Sequence, residues 1–103
     1  MKHISILVPR GAILGSVEGP RLVFSEVNAL RRRLGQPPLF EVQLVGLAPE
    51  TAVCGGLYHV RPQLLTADVQ RTDLVIIPAV DGDPAEALAA NQGFVPWIVQ
   101  QYQ

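Results

Sequence analysis

The stretch Thr72–Pro84, T-D-L-V-I-I-P-A-V-D-G-D-P, decides how the rest of the sequence is interpreted. Its apolar run Leu74–Ile77 is continuous and mostly β-branched, which is typical of a strand buried on both faces of a parallel sheet. Pro78 ends this strand because proline cannot donate a hydrogen bond to a sheet. Ligands of open α/β sheets bind beyond the carboxyl ends of the strands, so a site is first expected just after Ile77.

The N-terminal part of the sequence predicts a strand–helix–strand unit. Ile4–Val8 is a second buried-strand pattern, Val17–Leu34 has helical spacing, and Phe40–Leu44 alternates between apolar and polar residues. Gly35 is expected to cap the helix at its C-terminus. The helix is expected to bury an apolar face. That face carries Val23, Val27, Leu30 and Leu34, with Leu22 and Phe24 beside them.

The second half of the sequence predicts a hairpin and two helices. Thr51–Cys54 and Leu57–Val60 flank a Gly-Gly turn, and residues 61–71 form a connector with one helical turn. Asp83 has the position of a helix cap before Pro84–Ala90. A further amphipathic helix begins at Phe94, and its predicted inner side carries Trp97 and Ile98.

Composition limits the classes of function. The chain has 103 residues, which we interpret as one α/β domain spanning residues 1–103. A net charge of -1 argues against electrostatic binding of nucleic acid. No apolar stretch is long enough for a membrane helix, and a single cysteine favours a reducing, cytoplasmic location.

Few side chains are arranged for chemistry. Cys54 is expected to be a packed, inert thiol in a short strand, and His3 and His59 to be structural or surface residues. The D-x-D spacing of Asp81 and Asp83 suits a turn and a helix cap. We therefore predict no metal site and no cofactor, since no metal-ligand spacing is present.

The loop after the first strand does not have the pattern of a phosphate site. Gly11–Gly15 lies between a strand and a helix but lacks both the dinucleotide fingerprint and the P-loop lysine. Arg31–Arg33 point in three directions on a helix and form no single basic face. Glu18 either faces a site at the strand ends or stabilises the first turn of the helix through its dipole.

Three ordered segments resemble the DJ-1/PfpI superfamily. These are I-S-I-L-V-P-R-G, S-V-E-G-P-R-L-V-F-S-E-V-N and T-D-L-V-I-I-P-A-V-D-G-D-P. The sequence is more closely similar to the amidotransferase-like N-terminal domain of AraC-type transcriptional regulators, and it covers the first half of that domain. The resemblance implies a flavodoxin-like three-layer sandwich with a mainly parallel sheet, and a homodimer.

The catalytic parts implied by the resemblance differ in this sequence. Enzymes of the superfamily place a nucleophilic cysteine on a strained turn, and that position would follow Gln103. The usual acidic position aligns with Ser16, so Glu18 is only a nearby substitute. The usual Pro-Gly-Gly after the strand is Pro78-Ala79-Val80 here, and valine resists the positive φ that glycine permits.

The resulting expectation is a non-catalytic sensing or dimerising domain of an AraC-type regulator. A small effector is expected at the strand ends, and DNA binding is expected only from a separate helix-turn-helix module. The alternative is part of a superfamily enzyme, a cysteine-dependent hydrolase, hydratase or glyoxalase. This half alone is expected to be unstable or to associate through bare strand faces. The candidate ligand-binding residues are Arg10, Ser16, Glu18, Ala79 and Val80.

Overall fold

The computed structural model describes the whole chain, Met1–Gln103. The strands are β1 (Lys2–Leu7), β2 (Phe40–Gly46), β3 (Thr51–Val53), β4 (Tyr58–Val60), β5 (Leu64–Leu65) and β6 (Leu74–Ile76). The α-helices are α1 (Leu14–Arg33), α2 (Pro84–Ala90) and α3 (Phe94–Tyr102), and a short 3₁₀ helix covers Thr66–Asp68. None of the helices combines the length and the apolar character needed to cross a lipid bilayer.

Four parallel strands form the main sheet, in the order β5-β2-β1-β6. β1 lies between its two apolar neighbours, so that Ile4 is opposite Val42 of β2 and Leu74 of β6. The predicted side-by-side arrangement of the first strand and the strand after Asp73 is therefore confirmed. β3 and β4 form a separate antiparallel hairpin, also as predicted.

Helices cover both faces of this sheet. Ile4 and Ile6 of β1 and Val8 directly after it belong to one core cluster, which also contains Val17 of α1. Leu7 points to the other side and contacts a cluster that contains Trp97 of α3. Alternate residues of a strand face opposite sides of the sheet, so β1 connects the two cores. The predicted three-layer α/β sandwich with a parallel sheet is confirmed.

β6 is an edge strand, and the prediction that it would be buried on both faces is wrong. Leu74 is 44% exposed and Ile77 is 62% exposed. The reason is positional, because β6 pairs with β1 on one side and has no neighbour on the other. The strand that is buried on both faces is β1, whose residues from Ile4 to Leu7 are all buried.

The face of α1 that packs on the sheet also differs from the prediction. Val23 is 61% exposed and Leu30 is 53% exposed, whereas Val17 and Asn28 are buried. Phe24 packs edge-on against Phe40 with a ring-centroid distance of 4.8 Å. Of the face predicted to be buried, Phe24 therefore packs inward, whereas Leu22, Val23, Leu30 and Leu34 are exposed.

Several local predictions are confirmed at their exact residues. Gly35 has φ of +73° and donates from its amide to the Arg32 carbonyl, while Gln36 donates to the Arg31 carbonyl. This is the Schellman arrangement that glycine favours after a helix. The Asp83 carboxylate accepts a hydrogen bond of 3.0 Å from the Ala85 amide and caps α2. The connector after the hairpin contains β5, which was not predicted.

Candidate functional site

The carboxyl ends of the parallel strands meet at one edge of the sheet. At that edge the chain leaves β1 through Val8–Ile13, β2 through Leu47 and β6 through Ile77. Loops at this edge are held by the sheet but are not part of its hydrogen bonding, so they are free to shape a site. The candidate site is therefore built from these loops and from the start of α3 below them.

The loops after β1 and β6 are joined by backbone hydrogen bonds. The Ile13 amide donates to the Ala79 carbonyl at 2.9 Å, and the Asp81 amide donates to the Gly11 carbonyl at 2.8 Å. Gly11 has φ of +79°, a conformation that side chains other than glycine rarely adopt. These bonds close the space directly between the two strand tips, and open space lies on either side of them.

The side chain of Asn91 holds the loop after β1 in place. Its Oδ1 accepts from the Arg10 amide at 2.7 Å, and its Nδ2 donates to the Arg10 carbonyl at 3.0 Å. Nδ2 also donates to the Ala87 carbonyl at 2.9 Å, which ties the same side chain to α2. Asn91 directly follows Ala90, the last residue of α2, and no sequence motif marks it as a clamp. No spacing rule links it to Arg10, because the two residues are 81 positions apart.

The Asn91 side chain thus acts as a clamp on the loop after β1. A cavity of about 510 Å³, which we call the strand-end cavity, opens beside the Asn91 clamp and between the ends of β1 and β2. Proteins bind small molecules in cavities of roughly 300–1,000 Å³ that combine apolar walls with a few polar groups. This cavity has both kinds of wall. Its apolar lining is Val8, Leu47, Ala48, Ala52, Ala90 and Phe94, and its polar lining is Arg10, Glu50, Thr51 and Asn91.

The polar groups of this strand-end cavity carry charges of both signs. Arg10 is exposed and forms no ion pair within the chain. The Glu50 carboxylate lies 3.3 Å from Nδ1 of His59 on the neighbouring strand of the hairpin. Arg10 is thus the unpaired cation of the cavity, available to a ligand that carries a carboxylate or phosphate.

A second, more apolar cleft of about 310 Å³ lies on the β6 side of the clamp. Leu7, Ile77 and Val80 line it from the sheet, and Leu88 lines it from α2. Asn91 is among its few polar lining residues and also lines the strand-end cavity. The strand-end cavity combines apolar and charged lining residues, as ligand sites do. This cleft is lined mainly by apolar residues, as is typical of a hydrophobic core that no further element covers.

Comparisons by sequence give no match, either to a protein-family model or to a curated protein. Comparison of the fold gives clear matches. A protein of Vibrio parahaemolyticus, proposed to be a transcriptional regulator, matches with a TM-score of 0.76 and 20% identity over 98% of this chain. A DJ-1 superfamily protein of Salmonella typhimurium, solved as a cysteine-to-alanine variant, matches with a TM-score of 0.57 and 19% identity over 99% of this chain. A DJ-1 superfamily protein of Agrobacterium tumefaciens matches with a TM-score of 0.53 and 18% identity over 97% of this chain.

This chain has the fold of the DJ-1 superfamily. It spans 51%, 50% and 47% of the lengths of those three chains, so it corresponds to about half of each. The resemblance inferred from the three sequence segments is thereby confirmed at the level of fold. Sequence identities of 18–20% to these solved structures establish the fold of this chain and not its function.

The predicted ligand residues lie in different parts of this DJ-1-like half. Arg10 lines the strand-end cavity, Val80 lines the apolar cleft, and Ala79 lies between them in the bonded loops. Ser16 is in the first turn of α1, where its amide donates to the Ile13 carbonyl at 2.8 Å. Ser16 and Glu18 line neither space, so a site that includes them remains a prediction.

Glu18 is engaged by a neighbour on its own helix. Both of its carboxylate oxygens accept from the Arg21 guanidinium, one of them at 2.6 Å from Nε. This hydrogen bonding lowers the pKa of Glu18, while its slight desolvation acts in the opposite direction. Glu18 is therefore an ionised surface residue paired with Arg21. The expectation that it stabilises the first turn of the helix is not met, because the first turn of α1 contains no acidic residue.

Cys54 is exposed, and the prediction of a packed thiol within a strand is wrong. It lies in the turn between β3 and β4 with φ of +54°, the only positive φ outside glycine. The hairpin turn begins one residue earlier than the Gly-Gly pair indicated. Cys54 does not line the strand-end cavity.

The remaining candidate side chains have structural partners. Nδ1 of His3 lies 3.1 Å from the Glu41 carboxylate, and His59 is paired with Glu50. No cluster of three or more histidine, cysteine, aspartate or glutamate side chains is placed to hold a metal ion.

Proposed function

We propose that this chain is part of the sensing and dimerising domain of an AraC-type bacterial transcriptional regulator and binds a small effector at its strand ends. The observation that carries the proposal is the strand-end cavity of about 510 Å³ beside Arg10. The fold supports the regulator assignment, because the protein proposed to be a transcriptional regulator matches with the TM-score of 0.76. In this function, DNA is read by a separate helix-turn-helix module, and two copies of the domain pair.

The lining of the cavity favours a small ligand that carries both charge signs. Arg10 supplies an unpaired guanidinium, and Glu50 supplies a carboxylate whose partner is only a histidine. Val8 and Phe94 give the ligand an apolar floor, since both side chains are buried. Amino-acid derivatives and amines are therefore the ligands to test first, with Arg10 binding the carboxylate where one is present.

The proposal includes no catalysis by this chain. A cysteine nucleophile needs a base or a helix N-terminus beside it, and Cys54 instead lies in an exposed hairpin turn. The rival function is that of a superfamily enzyme. An esterase or glyoxalase activity of this chain that disappears in Cys54→Ser would favour the enzyme. A cysteine codon at the end of a strand soon after Gln103 in the reading frame would do the same.

Effector binding is tested by calorimetric titration of a panel of amines and amino-acid derivatives. Ala90 lines the strand-end cavity and Ala89 does not, although both are exposed on α2. Ala90→Trp is expected to weaken binding at least tenfold, whereas Ala89→Trp is expected to bind as tightly as the wild type. Equal affinities for all three proteins, or no binding by any compound, would contradict the proposal.

Two further substitutions test how far the effector extends between the loops. Ser16→Trp and Val80→Trp place bulk beside the tips of β1 and β6, at the residues predicted from the sequence. A loss of affinity in either variant would extend the site to that side of the Asn91 clamp. If neither variant changes binding while Ala90→Trp does, the effector is confined to the strand-end cavity.

A further inference from the structure

Asn91 fixes the backbone of Arg10, although Arg10 itself is exposed. Its Oδ1 accepts from the Arg10 amide at 2.7 Å, and its Nδ2 donates to the Arg10 carbonyl at 3.0 Å. Both backbone polar groups of Arg10 are therefore bound by one side chain. The direction in which the Arg10 side chain leaves the loop is thereby fixed, so less conformational entropy is lost when a ligand binds its guanidinium.

The residues on either side of Arg10 are held without the help of Asn91. The Asp81 amide donates to the Gly11 carbonyl at 2.8 Å, and the ring of Pro9 fixes the φ of that residue. Removal of the Asn91 side chain would therefore release Arg10 and leave its neighbours in place. The main effect of such a change is expected at the guanidinium.

Asn91 lines the strand-end cavity but has no donor left for a ligand. A side-chain amide has two N–H groups, and those of Asn91 donate to the Arg10 and Ala87 carbonyls. Its Oδ1 is an acceptor only and repels a carboxylate. Asn91 therefore affects an anionic ligand through the position of Arg10 and not through a contact of its own.

The charged residues that line the cavity are one arginine and one glutamate, Arg10 and Glu50. A carboxylate carries a single negative charge, which balances the guanidinium. A phosphate group carries a charge of about −1.5 to −2 at pH 7 and would leave unbalanced negative charge beside Glu50. An amine without a carboxylate binds Glu50 but leaves the Arg10 guanidinium partly desolvated and without a partner, which costs free energy. The lining thus favours ligands with one free carboxylate.

We propose that the strand-end cavity selects ligands with a free carboxylate, such as α-amino acids, and that Asn91 sets this selectivity by positioning Arg10. Arg10 binds the carboxylate of the ligand, and Asn91 is the positioning residue that holds Arg10 at the cavity. This selectivity rests on the proposed function, and it narrows the ligand class from amines and amino-acid derivatives to compounds that carry a carboxylate.

Calorimetric titration with matched probes tests this selectivity. The probes are phenylalanine and leucine, each compared with the amine that loss of its carboxyl group leaves, phenethylamine and 3-methylbutylamine. The wild type is expected to bind an acid at least about tenfold more tightly than its amine, since a hydrogen bond to a charged group is lost with the carboxylate. Arg10→Ala keeps the backbone bonds to Asn91 and is expected to abolish this preference.

The variants of Asn91 test its positioning role. Asn91→Ala is expected to lower the ratio of acid to amine affinity about threefold or more, because the guanidinium is no longer held at the cavity. The double variant with Arg10→Ala is expected to have the same ratio as Arg10→Ala alone, because Asn91 acts through Arg10. Asn91→Ser serves if Asn91→Ala does not fold, since its short hydroxyl cannot bridge both polar groups of Arg10.

The controls separate positioning from a general loss of structure. Gln92→Ala removes a carboxamide from the next residue, which is exposed and whose side chain forms no hydrogen bond in the structure, so it is expected to keep the wild-type ratio. A loosened fold would weaken acid and amine alike and leave their ratio unchanged. A wild-type ratio in Asn91→Ala, or equal affinities of the wild type for acid and amine, would overturn this inference.

The failure of the proposed function gives a different result. If no probe binds, or if Ala90→Trp does not weaken binding, the proposed function fails and this inference fails with it. If binding is weakened by Ala90→Trp but acid and amine bind equally, the strand-end cavity binds the probes and only the selectivity for carboxylates is refuted.

Discussion

Asn28 provides the sharpest test of how α1 is attached to the sheet. Its Nδ2 donates to the Phe40 carbonyl at 2.7 Å, and its Oδ1 accepts from the amides of Leu39 and Phe40 at 3.0 and 3.1 Å. One buried side chain thus satisfies three backbone groups where the chain enters β2. Asn28→Ala removes all three hydrogen bonds at once and leaves the backbone groups without a protein partner.

The expected cost follows from these contacts. A hydrogen bond contributes about 0.5–1.5 kcal/mol, so three contribute about 3 kcal/mol in total. Alanine is the better helix former by up to about 0.7 kcal/mol, which offsets part of the loss. We therefore expect the free energy of unfolding to fall by about 2–3 kcal/mol. For a domain of this size the melting temperature then falls by roughly 10–20 °C.

Thermal unfolding followed by circular dichroism measures this change at a fixed protein concentration. Ser25→Ala is the matched control, because it lies on the same helix, gains helix propensity and loses no side-chain hydrogen bond that the structure contains. The control is expected to melt at or slightly above the wild-type temperature. If Asn28→Ala melts within a degree or two of the wild type, the attachment of α1 through this side chain is refuted.

Two further predictions concern local packing and pH. A Cβ on Gly46 would lie 2.6 Å from Cγ of Pro62, so Gly46→Ala is expected to lower the free energy of unfolding by about 1–3 kcal/mol in urea denaturation. On α1, a Cβ added at Gly19 meets no atom within 4 Å, so Gly19→Ala is expected to raise the free energy of unfolding by about 0.5–1 kcal/mol. If both substitutions change the free energy of unfolding in the same direction, the local geometry is contradicted. The His3 amide donates a hydrogen bond of 2.8 Å to the Asp73 carboxylate, and this bond lowers the pKa of Asp73. The stabilisation that this contact gives the folded state is therefore present above the unfolded-state pKa of Asp73 and is lost as pH falls through its folded-state pKa. Between pH 6 and about pH 3, the free energy of unfolding of Asp73→Asn should therefore fall less than that of the wild type. If the free energies of unfolding of the two proteins change in parallel with pH, this contact is refuted.

The elements of the fold could be predicted from the sequence because their signals are local. The apolar run before Pro9, the Gly35 cap and the Asp83-Pro84 helix start each depend on a few adjacent residues. The pairing of β1 with β6 was also predicted, since both runs are continuous and apolar, as is typical of adjacent strands in a parallel sheet. The exposure of β6 could not be predicted, because it depends on the absence of a further strand beside β6 at the edge of the sheet.

The orientation of α1 could not be predicted from hydrophobic spacing. Leu22, Val23 and Leu30 are exposed on its outer side, whereas its inner side includes the polar Asn28. Asn28 is buried because it satisfies backbone groups at the start of β2, a contact between residues that are 11 and 12 positions apart. A search for apolar periodicity assigns such an asparagine to the solvent side and therefore selects the wrong face.

The candidate site was predicted in part for a similar reason. The edge of the sheet and Arg10 followed from the general rule for parallel sheets. The cavity itself depends on the Asn91 clamp and on the placement of the hairpin beside β2. Both are contacts between distant parts of the chain, and no residue spacing encodes them.

The most direct test of the central claim is an amide NMR titration of this chain with the amines and amino-acid derivatives. We expect a compound that binds to shift the amide signals of Arg10, Thr51 and Asn91, which line the strand-end cavity, and to leave those of the exposed hairpin turn unchanged. Shifts confined to other parts of the chain, with these three amides unmoved by any compound that binds, would contradict the claim.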